Sequence, residues 1–587
     1  MFAQFTRVAR WCLLLLLCIP VLAGLVGVAF PALGYFPAIG ANSFSLDVFK
    51  TLFSLDDIWQ MVWLSLFTGL GSTLLAIGGA FLLLASFYQS TWLNKIQGLL
   101  SPFLVFPHAA AAIALLFVFS PSGIFARITA VGTGTVIPGS GEALFPYDSF
   151  FPYDPGGLSV LLALSLKELP FILLMALSVM SQPLVKSKLS GYIKVGTALG
   201  YSPVATFFKL VMPTVFAQIK LPILAVLVFA TSNVEIPLIL GGNNPSTLAV
   251  AIMHWFNHID LSMRLLASSA AVLQVAVSGL ALVLLLCVER IVIYAGRKRL
   301  AKGNRRFFDS FVQGAAYSTV ALYIALIGAV VYSVLMYSIA KQWYYPDLFP
   351  EGATLLHWRT AFETLAQPFS NSLLLGILVS TSALGLVLFT LESELLKPAG
   401  TNAKRAFSIS LFLPLLVPGV AFLYGLVWFQ QLVLQDAVWF HTYIAHMVYV
   451  VPYVFLSMAV AYRKFDIRYA MVAQSLGKTP WQVFYYIKLP SLVSAIMVAW
   501  ALGLAISFSQ YLPTLLASGG TIATITTEAV ASVSGSSTRL TAVFVIIQAI
   551  MPLVGFAIAW YLPAALVKTG SKIRTLDKKN RAVLHGA

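Results

Sequence analysis

Apolar residues in this chain run in long unbroken blocks instead of alternating with polar ones, as in WCLLLLLCIPVLAGLVGVAF at 11–30. Such blocks, about 18–25 residues each, recur from end to end and are long enough to cross roughly 30 Å of hydrocarbon as helices. Lipid offers no partner for an exposed backbone N–H or C=O, so each block has to be helical. Twelve spans are predicted, near residues 11–31, 60–85, 99–120, 158–180, 213–240, 265–290, 311–340, 370–394, 407–430, 442–462, 490–512 and 539–562. The expected fold class is an all-α membrane protein. Arg7 and Arg10 precede the first block, the charge order of a signal peptide, whose apolar region is only about 7–15 residues. Here the run continues to Phe30, which predicts an uncleaved first span.

Composition supports the pattern: of 587 residues, 59% are hydrophobic and 10% charged, which excludes an ordinary soluble domain. A net charge of +16 would suit nucleic acid, but the distribution of the charges points elsewhere. With the N-terminus inside, most Lys and Arg fall in segments assigned to the cytoplasm. The outer segments hold few, among them Lys50, Arg127, Lys341 and Arg359. That asymmetry follows the positive-inside rule and predicts both termini in the cytoplasm. The charge is then an orientation signal and a contact with anionic headgroups, not a nucleic-acid surface. Cys12, Cys18 and Cys287 lack metal or disulfide spacing and read as free, buried thiols.

The chain then repeats itself. KVGTALGYSPVATFFKLVMP at 194–213 aligns without a gap to MVAQSLGKTPWQVFYYIKLP at 471–490, sharing Val, Leu, Gly, Pro, Phe and Pro at matching places. GLGSTLLAIGGAFLLL is matched in style by GILVSTSALGLVLFTL, and Arg264 and Arg539 each open the last span of a half. An even number of spans per half gives parallel repeats. The expected domains are a six-span repeat at 1–295, a basic linker at 296–308 containing GRKRLAKGNRR, a second repeat at 309–567 and a basic tail at 568–587. Between spans three and four the outer loop holds the tandem FPYDSFFPYD, read most plainly as a cap at headgroup level.

In each repeated stretch a helix is predicted to break at glycine, Gly200 or Gly477. A new one starts with Ser202 or Thr479 as cap and Pro203 or Pro480 in its first turn, where no N–H is needed. It is expected to stop before Pro213 or Pro490. Val204, Phe207, Phe208 and Val211 share one face, as do Trp481, Phe484, Tyr485 and Lys488. Two equivalent aromatic stripes on one side suggest docking knobs for a two-fold partner. The plainer alternative is packing within the chain.

These loops resemble the cytoplasmic "EAA" loop of ATP-binding-cassette (ABC) importer permeases, with Gly200 and Gly477 at the family's glycine and Pro213 and Pro490 at its closing proline. The likeness covers nearly the whole chain and is nearest to fused, duplicated permeases of the ferric-iron, thiamine and putrescine type. The acid that names the motif is missing, since Lys194 and Met471 stand in its place. The resemblance implies two six-helix repeats of importer-permease type in a bacterial inner membrane, with coupling helices that insert into two copies of an ABC ATPase. It also implies a periplasmic solute-binding protein and alternating access. The chain has no G-x-x-x-x-G-K-[ST] loop, so ATP and Mg are expected on the partner subunits, with no cofactor on this chain.

Ionisable residues inside spans are costly and tend to face a pathway. Lys167 and Glu168 lie mid-span, and Glu235 follows Asn233 in the fifth. The matching stretch of the eleventh holds Ser509 and Gln510 without an acid. These six residues are the candidate translocation path, for a small polar or cationic solute of the iron, thiamine or polyamine class. The alternative is an internal pair, Lys167 or Arg264 with an acid such as Glu235. No metal site is expected. The pair His254 and His258 in HWFNH lacks the glutamate of H-E-x-x-H, so an enzyme is not expected. The rival function is a major-facilitator transporter, against which SFYQSTWLNKIQG lacks that family's Gly/Asp/Arg-rich loop pattern.

Overall fold

The computed structural model describes residues 1–133, 151–301, 303–306, 308–396, 401–433, 435–535 and 537–584. Among the described residues, ten helices are long and apolar enough to cross a membrane, or up to twelve if each of two bent pairs is one span. One pair, Ile409–Leu416 with Gly419–Gln431, bends by 98°. Pro418 sits in the elbow, where it lacks an N–H and disfavours helix at the residue before it. The predicted third span is likewise two pieces, Trp92–Val105 and His108–Phe119, parted at Phe106 and Pro107. The second bent pair, Pro480–Ser491 with Val493–Phe508, turns by 78°.

The opening helix, Phe2–Ala32, lies against helices from the far end of the sequence, Gly419–Val433 and Leu356–Leu396. Gly24 and Gly27 meet Gly425 there, small residues that let two backbones approach. Conversely, Asp309–Ile339 lies against Ile58–Phe87 and His108–Phe119 as well as Thr538–Leu584. Each of these two helices thus crosses to the other half of the chain. Cys12 and Cys287 are exposed and Cys18 is half-buried, so the expectation of buried thiols fails. Apolar outer faces are what a lipid-facing helix requires.

The predicted fifth and eleventh spans stop short. Met212–Thr231 is followed by the separate short helix Glu235–Leu240, and Val493–Phe508 by Leu512–Ser518. Further helices, Leu248–Phe256 and Ile525–Val533, then re-enter the packed interior. The same contacts fix both. Ser65 Oγ accepts from the Leu248 amide at 2.9 Å, and Ser372 Oγ from the Ile525 amide at 3.0 Å. Gly69 abuts Thr231 as Gly376 abuts Phe508.

At the opposite end from the repeated loops, Arg127 is buried instead of solvated. Its guanidinium donates to the carbonyls of Ser122, Tyr344 and Asp347 at 2.9, 2.6 and 2.5 Å and lies 4.3 Å from the centre of the Trp343 ring. Tyr344 and Asp347 belong to the turn of a small hairpin, Ala340–Gln342 paired with Glu351–Ala353, so Arg127 ties two distant connections together. The first FPYD copy, 145–148, lies outside the described residues. In the second, the Asp154 carboxylate accepts from the amides of Leu158 and Ser159 and so caps the next helix.

Candidate functional site

Both repeated loops fold as their local chemistry dictates. Gly200 and Gly477 take φ of 74° and 80°, a region that L side chains enter at a cost. Ser202 Oγ then accepts from the Ala205 amide at 3.2 Å. Thr479 goes further and forms a reciprocal box with Gln482: each side chain accepts the other's backbone N–H, at 3.3 and 3.0 Å. Pro203 and Pro480 occupy the first helical turn. Just before the second loop, Asp466 caps Ile467–Ser475, and its hydrogen bonds with Arg468 hold its carboxyl below the usual range.

The new helices do not end at the closing prolines. Each widens into one π-helical turn, Phe207–Val211 or Phe484–Lys488, and runs on into helix containing Pro213 or Pro490. A π turn displaces the usual i→i−4 ladder, so a residue without an N–H can follow without breaking the helix.

The aromatic stripes also divide differently from expectation. Phe207 and Phe484 are fully buried and face the bundle, Phe207 against Phe81 and Tyr88, Phe484 against Phe389 and Phe2. Val204 and Val211 are buried with them, and so is Lys488. These side chains anchor the turns and are not knobs. What faces outward is Tyr485 and Tyr486, which with Trp481 and Gln482 line an open groove of about 490 Å³. In the first loop Phe208 is half-buried and the flank is covered by the central linker. Asp309 Oδ1 accepts from Ser202 Oγ at 2.8 Å, Arg305 O from the Ser202 amide at 2.9 Å and Asn304 O from Lys209 Nζ at 2.6 Å.

The candidate path residues are only partly brought together. Lys167 Nζ donates to the carbonyls of Phe103 (2.5 Å) and Phe106, at the end of Trp92–Val105, and so satisfies a helix C-terminus. Glu168 Oε1 lies 3.6 Å from His108 Nε2. Asn233 Oδ1 caps Glu235–Leu240 through the Ile236 amide at 2.9 Å, and Ser509 Oγ bonds back to Ile506 O at 2.9 Å. The backbone amide of Tyr511, next to Gln510, approaches the Glu235 carboxylate, as does that of Ala109. Glu235 Oε2 is buried with no hydrogen-bond partner among the described residues. Arg264 does not supply one and lies over the Phe256 ring. The sequence reading missed the facing wall: Tyr449 and Tyr511 are within electrostatic reach of Glu235, and Tyr453 of Glu168. Tyr449 and Tyr453, one helical turn apart around Pro452, were the available signal. Among the described residues no cluster of three or more His, Cys, Asp or Glu could hold a metal ion.

Compared with known proteins, the chain aligns over 526 residues with the inner membrane ABC transporter permease protein YnjC of Escherichia coli strain K12. The two are 26% identical, over 88% of this chain and 90% of that protein. Over most of its length the chain is thus similar to an ABC transporter permease. It is also 30% identical over 140 residues to the putrescine transport system permease protein PotI of the same strain, a match spanning 24% of this chain and 49% of PotI. No family model matches it.

Proposed function

We propose that this chain is an ABC permease, the membrane-spanning subunit of an importer, built from two fused six-span repeats, 1–295 and 309–567, with both termini in the cytoplasm. Two ATPase subunits, carrying ATP and Mg, dock on the turns at 200–213 and 477–490. A periplasmic binding protein delivers the solute, and closure of the ATPases drives alternating access. The observation that carries this reading is the pair of capped, π-bulged turns, each pinned to the bundle by a buried phenylalanine at the same place. A stiff element anchored on one side and open on the other is what transmission of a push requires. The path passes Glu168 and Glu235, opposite the tyrosines, which suits a small polar or cationic solute such as a polyamine, thiamine or chelated iron.

The test is purification of the tagged chain from its native membrane in mild detergent. Two P-loop ATPase chains per permease, lost when the second turn is disrupted, are the expected result. A chain that transports solute alone, with no ATPase under any extraction, overturns the proposal.

A further inference from the structure

Beneath the second turn lies a buried ion pair. Lys488 Nζ sits 2.6 Å from both oxygens of Glu392, the Tyr462 hydroxyl donates to the same carboxylate, and all three side chains are buried. They come from three elements: the last residue of the π turn, the end of Leu356–Leu396 and the end of Val438–Arg463. Arg463 and Glu394, 3.0 Å apart, join the same two helix ends again nearer the surface.

Among the described residues the first loop has no ion pair at the matching place. Val211 closes its π turn as Lys488 closes the second. On the facing helix, Ala85 stands as far beyond Ser65 as Glu392 stands beyond Ser372, and those serines make the same contact. Val211 and Ala85 are fully buried in one apolar cluster. The fold therefore accepts an apolar pair at this place. A buried ion pair is a weak source of stability compared with hydrophobic filling, yet removing one partner is strongly unfavourable. What the pair does supply is discreteness. An apolar contact can slide by fractions of a turn, whereas Lys488 cannot leave Glu392 without stranding a buried charge.

We propose that Lys488 and Glu392, with Tyr462, form an ionic latch that makes the second coupling turn and the ends of two spans move as one rigid body, whereas the first turn is held at this place by apolar packing alone. Both are positioning residues. The inference rests on the reading that an ATPase docks on this turn.

The experiment places spin labels at two exposed positions outside the groove, Ser491→Cys at the end of the turn and Leu396→Cys, after the three native cysteines are replaced by serine. Pulsed dipolar spectroscopy on the complex with its ATPases in nanodiscs then compares the nucleotide-free and Mg-ATP states. The expected result is one unchanged distance in both states, with a shift appearing once K488V and E392A copy the first repeat. A nucleotide-dependent shift with the latch intact overturns the inference, and so does an unchanged distance in a folded double variant. The measurement on the intact latch decides alone if that variant fails to fold. A preparation containing no ATPase overturns the docking reading and the latch together, an outcome distinguishable from failure of the latch alone.

Discussion

Gly24 and Gly425 meet backbone to backbone: a Cβ on Gly425 would lie 1.9 Å from the Gly24 carbonyl oxygen, and one on Gly24 would lie 2.1 Å from that of Phe422. The obstacle is main chain on both sides, which no rotamer can relieve. Since Phe2–Ala32 otherwise has mostly apolar side chains against apolar neighbours, this crossing fixes its register on the distant half.

Gly425→Ala is therefore expected to destabilise the protein by about 1–3 kcal/mol, the usual cost of overpacking, and Gly425→Leu by more. Thermal unfolding in detergent, followed by tryptophan fluorescence, checks the order wild type, Ala, Leu. An unshifted midpoint for Leu would show that the first helix does not sit here.

Gly477→Ala isolates backbone strain, because a Cβ at Gly477 meets nothing within 4 Å while φ stays at 80°. The expected loss is about 1 kcal/mol, localised to the second loop. Hydrogen exchange of 473–483 should rise with the global midpoint nearly unchanged. At Gly200 the added methyl would sit 3.5 Å from Arg305 Nη1, an ordinary van der Waals contact, so Gly200→Ala is expected to cost the same backbone strain and leave the linker in place.

Neighbouring aromatics should separate binding from stability. Tyr485 and Tyr486 are 50% and 78% exposed, so replacing both by Ala should change stability by no more than about 0.5 kcal/mol while abolishing ATPase co-purification. Phe484 is 2% exposed, and Phe484→Ala should cost about 3–5 kcal/mol. Retained ATPase in the folded tyrosine double variant would remove the groove from the docking surface.

Glu235→Gln tests the path. The substitution keeps the shape and removes the ionisable carboxyl facing Tyr449 and Tyr511. Uptake into proteoliposomes of the solute captured by the binding protein should fall by about tenfold, on the order of one lost charged contact, with the melting midpoint held or raised. Unchanged uptake by a normally folded variant would exclude Glu235 from the route.

The sequence by itself determined whatever depends on local chemistry. The spans follow from hydrocarbon's inability to satisfy a bare backbone, the glycine turns from φ, and the caps from Ser202 and Thr479 standing ahead of proline. The recurrence of one loop made its importance legible. Tertiary structure alone decided which face of each turn points inward. A stripe at helical spacing has no direction until a bundle lies on one side of it, so Phe207 and Phe484 read as knobs and proved to be anchors. It alone also turned isolated charges into partners. Lys488 and Glu392 are far apart in the chain, and so are Arg127 and Asp347, and proximity between such residues is set by how helices cross. Those crossings rest on a few close backbone contacts, such as Gly24 with Gly425, which depend on both sequences at once.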